Sequence, residues 1–333
     1  MSRSGQVTLV VSVDAEEDAW APTRERATVE NVRELTRLSA FLHGLGMRAT
    51  YFVTYQVALQ PWAADILGEV RARWGDEVGA HLHPWNTPPL DDPFLPHNTV
   101  LKNLPGALQR AKLEHLTALL TQAVGARPRC FRAGRFGLGV ETVTALRQCG
   151  YTVDSSVTPY YDWQPFDNGP SFVGAPFGPY YLREQGDVRM PAPSGAVVEV
   201  PISSAYNRRP FSVWNRLYEW TDSARLRRLR VRGLLSRTGV LKRILLGPER
   251  ASVAEMLRLS RLLIEEGVEH LHLFLHSSSL LPGLTPYAPS GAAVERLYAA
   301  VARYVEALAK MTPLRFGTVP EVAGTLMPVG GAD

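Results

Sequence analysis

The sequence predicts an α/β fold, a largely parallel sheet with helices packed outside it, and three observations carry the prediction. Short runs rich in β-branched residues alternate with longer runs at helical spacing over almost the whole chain. The short runs are continuously apolar, as strands covered on both faces are. No linker-like stretch and no short-period repeat divides the 333 residues. A single domain over 1–333 is therefore expected, since one barrel of this size is common.

The first run, 7–13, reads Val-Thr-Leu-Val-Val-Ser-Val and is expected as a buried parallel strand. Positions 29–45 carry apolar residues at helical spacing and stop at Gly44 and Gly46. A second strand is expected at 48–53, a second helix at 63–74, and a short strand at 77–80 that runs into His81. A Pro-rich loop follows, 84–105. Helix 107–124, strand 130–134, helix 140–149 and strand 152–155 continue the alternation. Segment 158–195 is rich in Pro, Gly and aromatics, with little periodicity. A strand is expected at 196–200, a basic helical insertion over about 207–250, a helix at 253–266 and a strand at 271–275. A helix at 292–310 and a strand at 315–318 complete the pattern. Such alternation makes either a barrel or a doubly wound sheet, and in both the chemistry collects at the C-terminal ends of the strands.

Composition narrows the class. Hydrophobic residues are 45% and charged residues 20%, ordinary globular usage that excludes a disordered or fibrous chain. Two cysteines, Cys130 and Cys149, exclude a disulfide framework and read as structural. No run approaches the ~18 apolar residues of a membrane span. Residues 1–6 lack the apolar core of a signal peptide, so a cytoplasmic location is expected. The net charge of +4 is unevenly spread. Segment 208–250 holds twelve Lys/Arg against Glu219, Asp222 and Glu249, so it carries +9 and the remainder of the chain −5. Its apolar residues, among them Trp214, Leu217, Trp220, Leu226, Leu229, Leu234, Leu235, Leu241, Ile244 and Leu245, recur at roughly helical spacing. A basic amphipathic arm of this kind suits peripheral contact with an anionic membrane or with a phosphorylated substrate. A solvated arginine face on a helix packed against the sheet accounts for the same pattern. No nucleic-acid motif is present, and no nucleic-acid partner is expected.

The strand ends carry the chemistry. Asp14-Ala15-Glu16-Glu17-Asp18 follows the first strand and His81-Leu82-His83-Pro84-Trp85 the third. Arg132-Ala133-Gly134-Arg135 follows the fourth, Asp154 the fifth with Asp162-Trp163 beyond it, and His276 a late one. Side chains alternate across a strand, so His81 and His83 share one side, about 7 Å apart. Two imidazoles and a carboxylate from a neighbouring strand hold a divalent ion and leave a position open for water. Asp14 ends a buried strand, and a carboxylate buried there needs a cation, either Arg132 or a metal. His43, His97, His115, His270 and His272 lie on helices, in the loop or beside a strand. They read as facing outward or satisfying local bonds.

The set resembles the polysaccharide deacetylase family, carbohydrate esterase family 4. The family's ordered motifs are an acidic pair, a histidine pair, an arginine motif, an Asp-Trp motif and a late histidine. All five have counterparts here in that order, from Val10 to His276. Ala49-Thr50-Tyr51-Phe52-Val53 is similar to the family's second strand. His81-Leu82-His83-Pro84-Trp85-Asn86-Thr87-Pro88-Pro89 and Phe131-Arg132-Ala133-Gly134-Arg135-Phe136-Gly137 look like one bacterial branch of it. The resemblance implies a distorted (β/α) barrel of about seven parallel strands and metal-dependent removal of an acetyl group from an amino-sugar-containing substrate. It implies Asp14 as catalytic base, His276 as general acid, Arg132 as the residue holding the base, and Asp154 or Asp162 as the supporting acid. Ala15 separates Asp14 from the next acid, so the implied metal set is Glu16, His81 and His83, with Glu17 or Asp18 as substitutes for Glu16. The histidines stand closer together than is usual, and Ala133-Gly134 replaces the usual proline. The implied cofactor is one divalent ion, zinc by default, with cobalt, nickel or manganese able to take the same site. Trp85, Arg135, Phe136, Asp162 and Trp163 are the expected substrate contacts, with a backbone N–H near Phe136 as oxyanion donor. Tyr160, Tyr161, Phe166, Phe172, Phe177, Tyr180 and Tyr181 either extend a sugar groove or pack the long loop. The partner is an N-acetylated sugar, whether polymeric, lipid-linked or small. The rival readings are another barrel metallohydrolase acting on a C–N bond and a non-catalytic glycan-binding barrel. The first places its histidine pair after the first strand, where this chain has acids.

Overall fold

Side chains of strand β1 (Val7–Ala15) alternate between two environments. Leu9, Val11 and Val13 join the main hydrophobic cluster beneath the helices, whereas Val10 belongs to a second cluster with Phe52, Cys130, Val153, Val198 and Val200. Both faces of the strand are covered, which is why its sequence is continuously apolar. The computed structural model describes residues 5–221, 233, 235 and 239–326.

The strands after β1 are β2 (Ala49–Val53), β3 (Glu77–Leu82), β4 (Cys130–Ala133), β5 (Val153–Asp154), β6 (Tyr180–Tyr181), β7 (Val198–Glu199), β8 (Ser204–Tyr206), β9 (Arg243–Leu245), β10 (His270–His276) and β11 (Leu314–Gly317). Across the main sheet the order is β10-β1-β2-β3-β4-β5-β7-β6. The seven from β10 to β7 are parallel to their neighbours, and β6 is antiparallel to β7. β11 pairs with Val7–Val10 of β1, and β2 pairs with the following Val11–Ala15. The outer edge of β10 meets irregular chain instead of a strand. Ser203 N–H donates to His272 O at 3.3 Å, and Phe274 N–H donates to Leu246 O at 2.9 Å. The segment after β7 thus reaches β10, and the curled sheet closes as a distorted (β/α) barrel.

The helices are α1 (Leu35–Gly44), α2 (Tyr55–Ala58), α3 (Pro61–Trp74), α4 (Gly106–Val124), α5 (Val140–Gln148), α6 (Phe211–Trp220), α7 (Val253–Glu265), α8 (Gly291–Met311) and α9 (Val319–Ala323). α3 begins on Pro61 and ends at Gly75, whose φ of 71° only glycine adopts freely. Ser252 caps α7, accepting from Glu255 N–H while the Glu255 carboxylate accepts from Ser252 N–H. Val319, Val322 and Ala323 of α9 join Val10 and Phe52 in the second cluster, sealing the N-terminal end of the barrel. Among the described residues no helix is long and apolar enough to cross a membrane.

Two expectations need correction. The basic insertion is not helical throughout: α6 covers Phe211–Trp220, and Arg243–Leu245 returns as β9, antiparallel to β8. Ile244 and Leu245 are buried there and serve the core. Arg225, Arg227, Arg228, Arg230, Arg232 and Arg237, with Leu226, Leu229 and Leu234, lie outside the described residues. His270 and His272 do not face outward. They alternate with Leu271 and Leu273, so they point into the barrel and are buried. Burial without a carboxylate partner pulls His270 down to about 4 and His272 well below the ordinary histidine value, so both are neutral.

Candidate active site

The two-residue period of the strands builds the site. Val10, Ser12, Asp14 and Glu16 share the inner face of the chain through β1, running from an apolar floor to a polar mouth. Asp14 is in register with His276 of β10 and, through Phe52, with Gly79 of β3, so His81 and its partner Arg132 of β4 stand two residues further toward the mouth on the same inner face.

Arg132 is fully buried, and every contact of its guanidinium is defined. It donates to Asp14 Oδ1 at 2.6 Å, to Ser12 Oγ at 2.9 Å, and to the Ser155 carbonyl and hydroxyl at 2.7 and 3.0 Å. Its carbon lies 4.1 Å from the Phe52 ring centroid. A buried charge this well bonded fixes the carboxylate it faces. Among the described residues Asp154 accepts no hydrogen bond from the guanidinium, although the Arg132 charge still acts on its carboxyl. Asp154 turns to Ser156, whose hydroxyl lies 2.8 Å from Asp154 Oδ1 and accepts from Ala133 N–H at 2.9 Å. Asp154 also pairs with Glu199. Burial pushes both carboxyls up, Glu199 furthest because the Asp154 charge adds to it. Ser12 and Ser155 take three further N–H donors of Arg132.

Glu16, His81 and His83 converge. One ligand atom from each lies within 4.8 Å of the others, and among the described residues this is the one such group. His81 Nδ1 lies 3.1 Å from Arg132 O, which assigns its proton there and leaves Nε2 bare. That Nε2 is 3.1 Å from His83 Nε2, 3.6 Å from Glu16 Oε2 and 3.5 Å from Asp14 Oδ2. His83 Nε2 is 3.4 Å from Glu16 Oε2. Two imidazole nitrogens that face each other beside a carboxylate need a cation between them, and this donor set fits a divalent metal. Without one, a proton takes that place. Burial opposes the charge on His83, but Glu17 and Glu16 raise it to about 10. Burial likewise opposes the Glu16 charge, yet bonds to both histidines hold its carboxyl well below the usual range.

The neighbouring acids have other duties. Glu17 Oε2 stands 2.9 Å from His83 Nδ1, at ion-pair distance without hydrogen-bond alignment, and Glu17 Oε1 accepts from Asn86 Nδ2 at 2.8 Å. Glu17 therefore orients His83 from behind. Asp18 accepts from the backbone N–H of Glu30 and Asn31 at 3.1 and 3.0 Å, closing the start of the next helical turn. Gly134 has a steric reason to be glycine. A Cβ there would stand 2.6 Å from His83 Cδ2 and 2.7 Å from the Leu82 carbonyl. The short histidine spacing and this glycine belong together. Gly134→Ala is expected to weaken metal retention about 10–100-fold by displacing His83, read by titration of metal-free protein. Unchanged affinity would sever that link.

Lys112 anchors the loop behind the histidines. Fully buried on α4, its ammonium donates to the carbonyls of Pro84, Thr87 and Pro89 at 2.9, 3.0 and 2.6 Å and pairs with Asp92 at 3.0 Å. This holds Trp85, whose ring stacks on His83 at 4.2 Å.

His276 has a partner that the sequence reading missed. Its Nδ1 lies 2.9 Å from Glu249 Oε2, and its backbone N–H donates to Glu249 Oε1 at 3.1 Å. Burial opposes protonation, but the Glu249 charge and hydrogen bond, with Glu16 and Asp14 nearby, raise His276 to about 9. The signal was one of only three acids in a basic stretch. Trp20 was also missed; its ring lies 5.0 Å from His276 and its indole N–H donates to Ser278 Oγ at 2.9 Å.

A cavity of about 300 Å³ unites Asp14, Glu16, His81, His83, Trp85, Arg135, Phe136 and His276. Arg135 and Phe136 take left-handed φ values of 53° and 55°, a strained turn held at the cavity wall. Trp163 stacks on Phe136 at 5.1 Å and lines an adjoining cavity. Asp162 is not brought to either cavity; Asp162 Oδ1 accepts from Gln164 N–H at 3.2 Å within its own loop. Phe172 and Tyr180 are buried in the main cluster and pack the long loop.

The chain matches no protein-family profile and no curated protein sequence. Solved structures do share its fold. A protein assigned as a polysaccharide deacetylase from Mycobacterium smegmatis superposes with a TM-score of 0.54 at 17% identity, covering 98% of this chain and 92% of that one. One assigned as a glycoside hydrolase/deacetylase from Parabacteroides distasonis gives 0.63 at 13% identity, over 96% and 71%. A 4-alpha-glucanotransferase from Thermococcus litoralis gives 0.52 at 13%, over 98% and 41%. The fold is thus that of polysaccharide deacetylases, and it also carries glucan transfer, so the side chains must decide the chemistry.

Proposed function

We propose that this chain, which has the barrel fold of the polysaccharide deacetylases, is a metal-dependent hydrolase that removes the N-acetyl group of an amino-sugar-containing substrate. One observation carries the reading. Asp14 locked by Arg132, the Glu16–His81–His83 ligand group and the His276–Glu249 pair all face one cavity. That is a base, a metal seat and an acid around a single space, the set that amide hydrolysis requires. The M. smegmatis and P. distasonis structures support the same direction through the activities assigned to them.

Glu16, His81 and His83 would hold a divalent ion, zinc as first choice, which when bound would supply polarisation of the acyl oxygen and a more acidic water. Asp14 takes the proton of the attacking water, and the hydrogen bond from Arg132 holds its carboxyl group in place. A backbone N–H of the Arg135–Phe136 turn meets the negative charge developing on the acyl oxygen. His276, protonated, gives its proton to the leaving amine, and Glu249 orients the ring and sustains its charge. Trp85, Trp163 and Phe136 offer flat faces to the sugar.

The test is acetate release from a panel of N-acetylated sugars, before and after exhaustive chelation. Release that chelation abolishes and zinc or cobalt restores supports the reading; release that survives chelation overturns it. The acid has its own check. Turnover needs protonated His276, so activity is present below its pKa and lost above it. Glu249→Gln removes the charge that raises that pKa, and the alkaline limb of kcat against pH is expected to move down by about one unit or more toward the ordinary histidine value. An unmoved alkaline limb would remove His276 from the role of acid.

A further inference from the structure

A second cavity of about 300 Å³ adjoins the first, and the hydrolysis proposed above makes little use of it. Phe136, Trp163, Phe166, Phe274 and Leu245 form its apolar wall. Arg135, Phe136, Arg250 and His276 line both cavities, so the two meet at the histidine that serves the leaving amine. The second cavity therefore receives the part of the substrate attached to the amine and not the acyl group. Its wall continues a ring stack: Tyr161 lies on Trp163 at 5.3 Å and 20°, and Trp163 on Phe136 at 5.1 Å and 26°. The stack presents an apolar wall against which the C–H groups of a sugar ring can pack.

The charges in the lining decide what that sugar carries. Asp167 is engaged by Arg135 at 2.7 Å. Glu249 is engaged by His276 at 2.9 Å and by the Ser279 hydroxyl. Arg250 remains. Among the described residues its guanidinium has no hydrogen bond and no ion pair, and it stands 5.6 Å from the Tyr287 ring centroid. Its place at the junction is set by Gly247. A Cβ at Gly247 would run into the Phe274 carbonyl, so only glycine lets the chain lie this close to β10. The same close approach brings Glu249 to His276 and Arg250 to the shared rim. A guanidinium presents its donors in a planar fork that matches a carboxylate or a phosphate.

We propose that the second cavity binds an anionic group, a carboxylate or a phosphate, carried by the sugar on its amine side, with Arg250 as the pairing residue. The preferred substrate is then an acidic or phosphorylated N-acetyl amino sugar and not a neutral one. This rests on the deacetylase reading, and the experiment separates the two. Three probes are compared on native protein and on Arg250→Gln: a neutral N-acetylglucosamine oligomer, one with a neighbouring uronic acid, and N-acetylglucosamine 1-phosphate. Acetate release gives kcat/KM, and calorimetry gives binding independently of turnover. One charged probe is expected to exceed the neutral probe in kcat/KM by roughly tenfold or more, and Arg250→Gln to cut that ratio by roughly ten- to a hundredfold, mainly through KM. Added salt should erode the native preference. Whether the uronic or the phosphate probe gains identifies the source of the charge. Equal kcat/KM for all three probes, or a ratio unmoved by Arg250→Gln, overturns the inference. Charge-selective, Arg250-dependent binding without acetate release from any probe supports the anion site and overturns the deacetylase reading instead.

Discussion

His81→Ala is expected to empty the metal seat and abolish turnover, with kcat lower by at least about 10³-fold. The size follows from the geometry. His81 Nε2, His83 Nε2 and Glu16 Oε2 form a triangle with sides of 3.1, 3.4 and 3.6 Å, so the loss of His81 leaves two of its three corners. Two donors do not retain a divalent ion as three preorganised ones do. His81 also lies 3.5 Å from Asp14 Oδ2, so the base loses its neighbour in the same step. Metal content after dialysis and kcat on an N-acetylated sugar are the two readouts. Full metal occupancy in His81→Ala would show that the ion sits elsewhere, and the proposed centre would fall with it.

Asp14→Asn is expected to behave differently: metal retained, kcat lower by about 10²–10⁴-fold. The asparagine amide oxygen can still accept from Arg132, so the buried guanidinium keeps a partner and the fold tolerates the change. What is lost is the carboxylate that receives a proton. Asp14→Ala is the contrasting variant, since it leaves Arg132 with only the serine partners and is expected to cost about 3–5 kcal/mol of stability. Thermal unfolding of both variants separates lost chemistry from lost structure. If Asp14→Asn loses the metal, Asp14 is a ligand, and the division of labour between Asp14 and Glu16 is reversed.

Much of the site was legible because strands encode it locally. The inward face of β1 can be read two residues at a time from Val10 to Glu16, and the same period places His81 beside His83. That is enough to put acids and imidazoles at one end of a parallel sheet. Periodicity misled where apolar residues served a different element. Ile244 and Leu245 fit a helical stripe extending from Trp214, yet they pair with Ser204 and Ala205 as a strand and fill the core. His270 and His272 carried no sequence mark of burial, and only the closing contacts of β10 with the segment after β7 put them inside.

The alternating β/α order, the parallel sheet, and the edge at which Asp14, Glu16, His81, His83, Arg132 and His276 gather are legible along the chain. Those follow from hydrophobic period and strand ends, which are local properties of the chain. The partners those residues take come from packing in three dimensions. Arg132 rests on Ser12 and Ser155 in place of Asp154 because β4 lies against β5 and faces β1 across the barrel. Glu17 backs His83 while Glu16 faces the metal seat, a choice set by which side of the chain each carboxylate leaves after β1. Glu249 reaches His276 from 27 residues away because Gly247 lets one backbone press against another. Hydrogen-bond partners are chosen by distance in space, and distance across a barrel is not written in the spacing of residues along a chain.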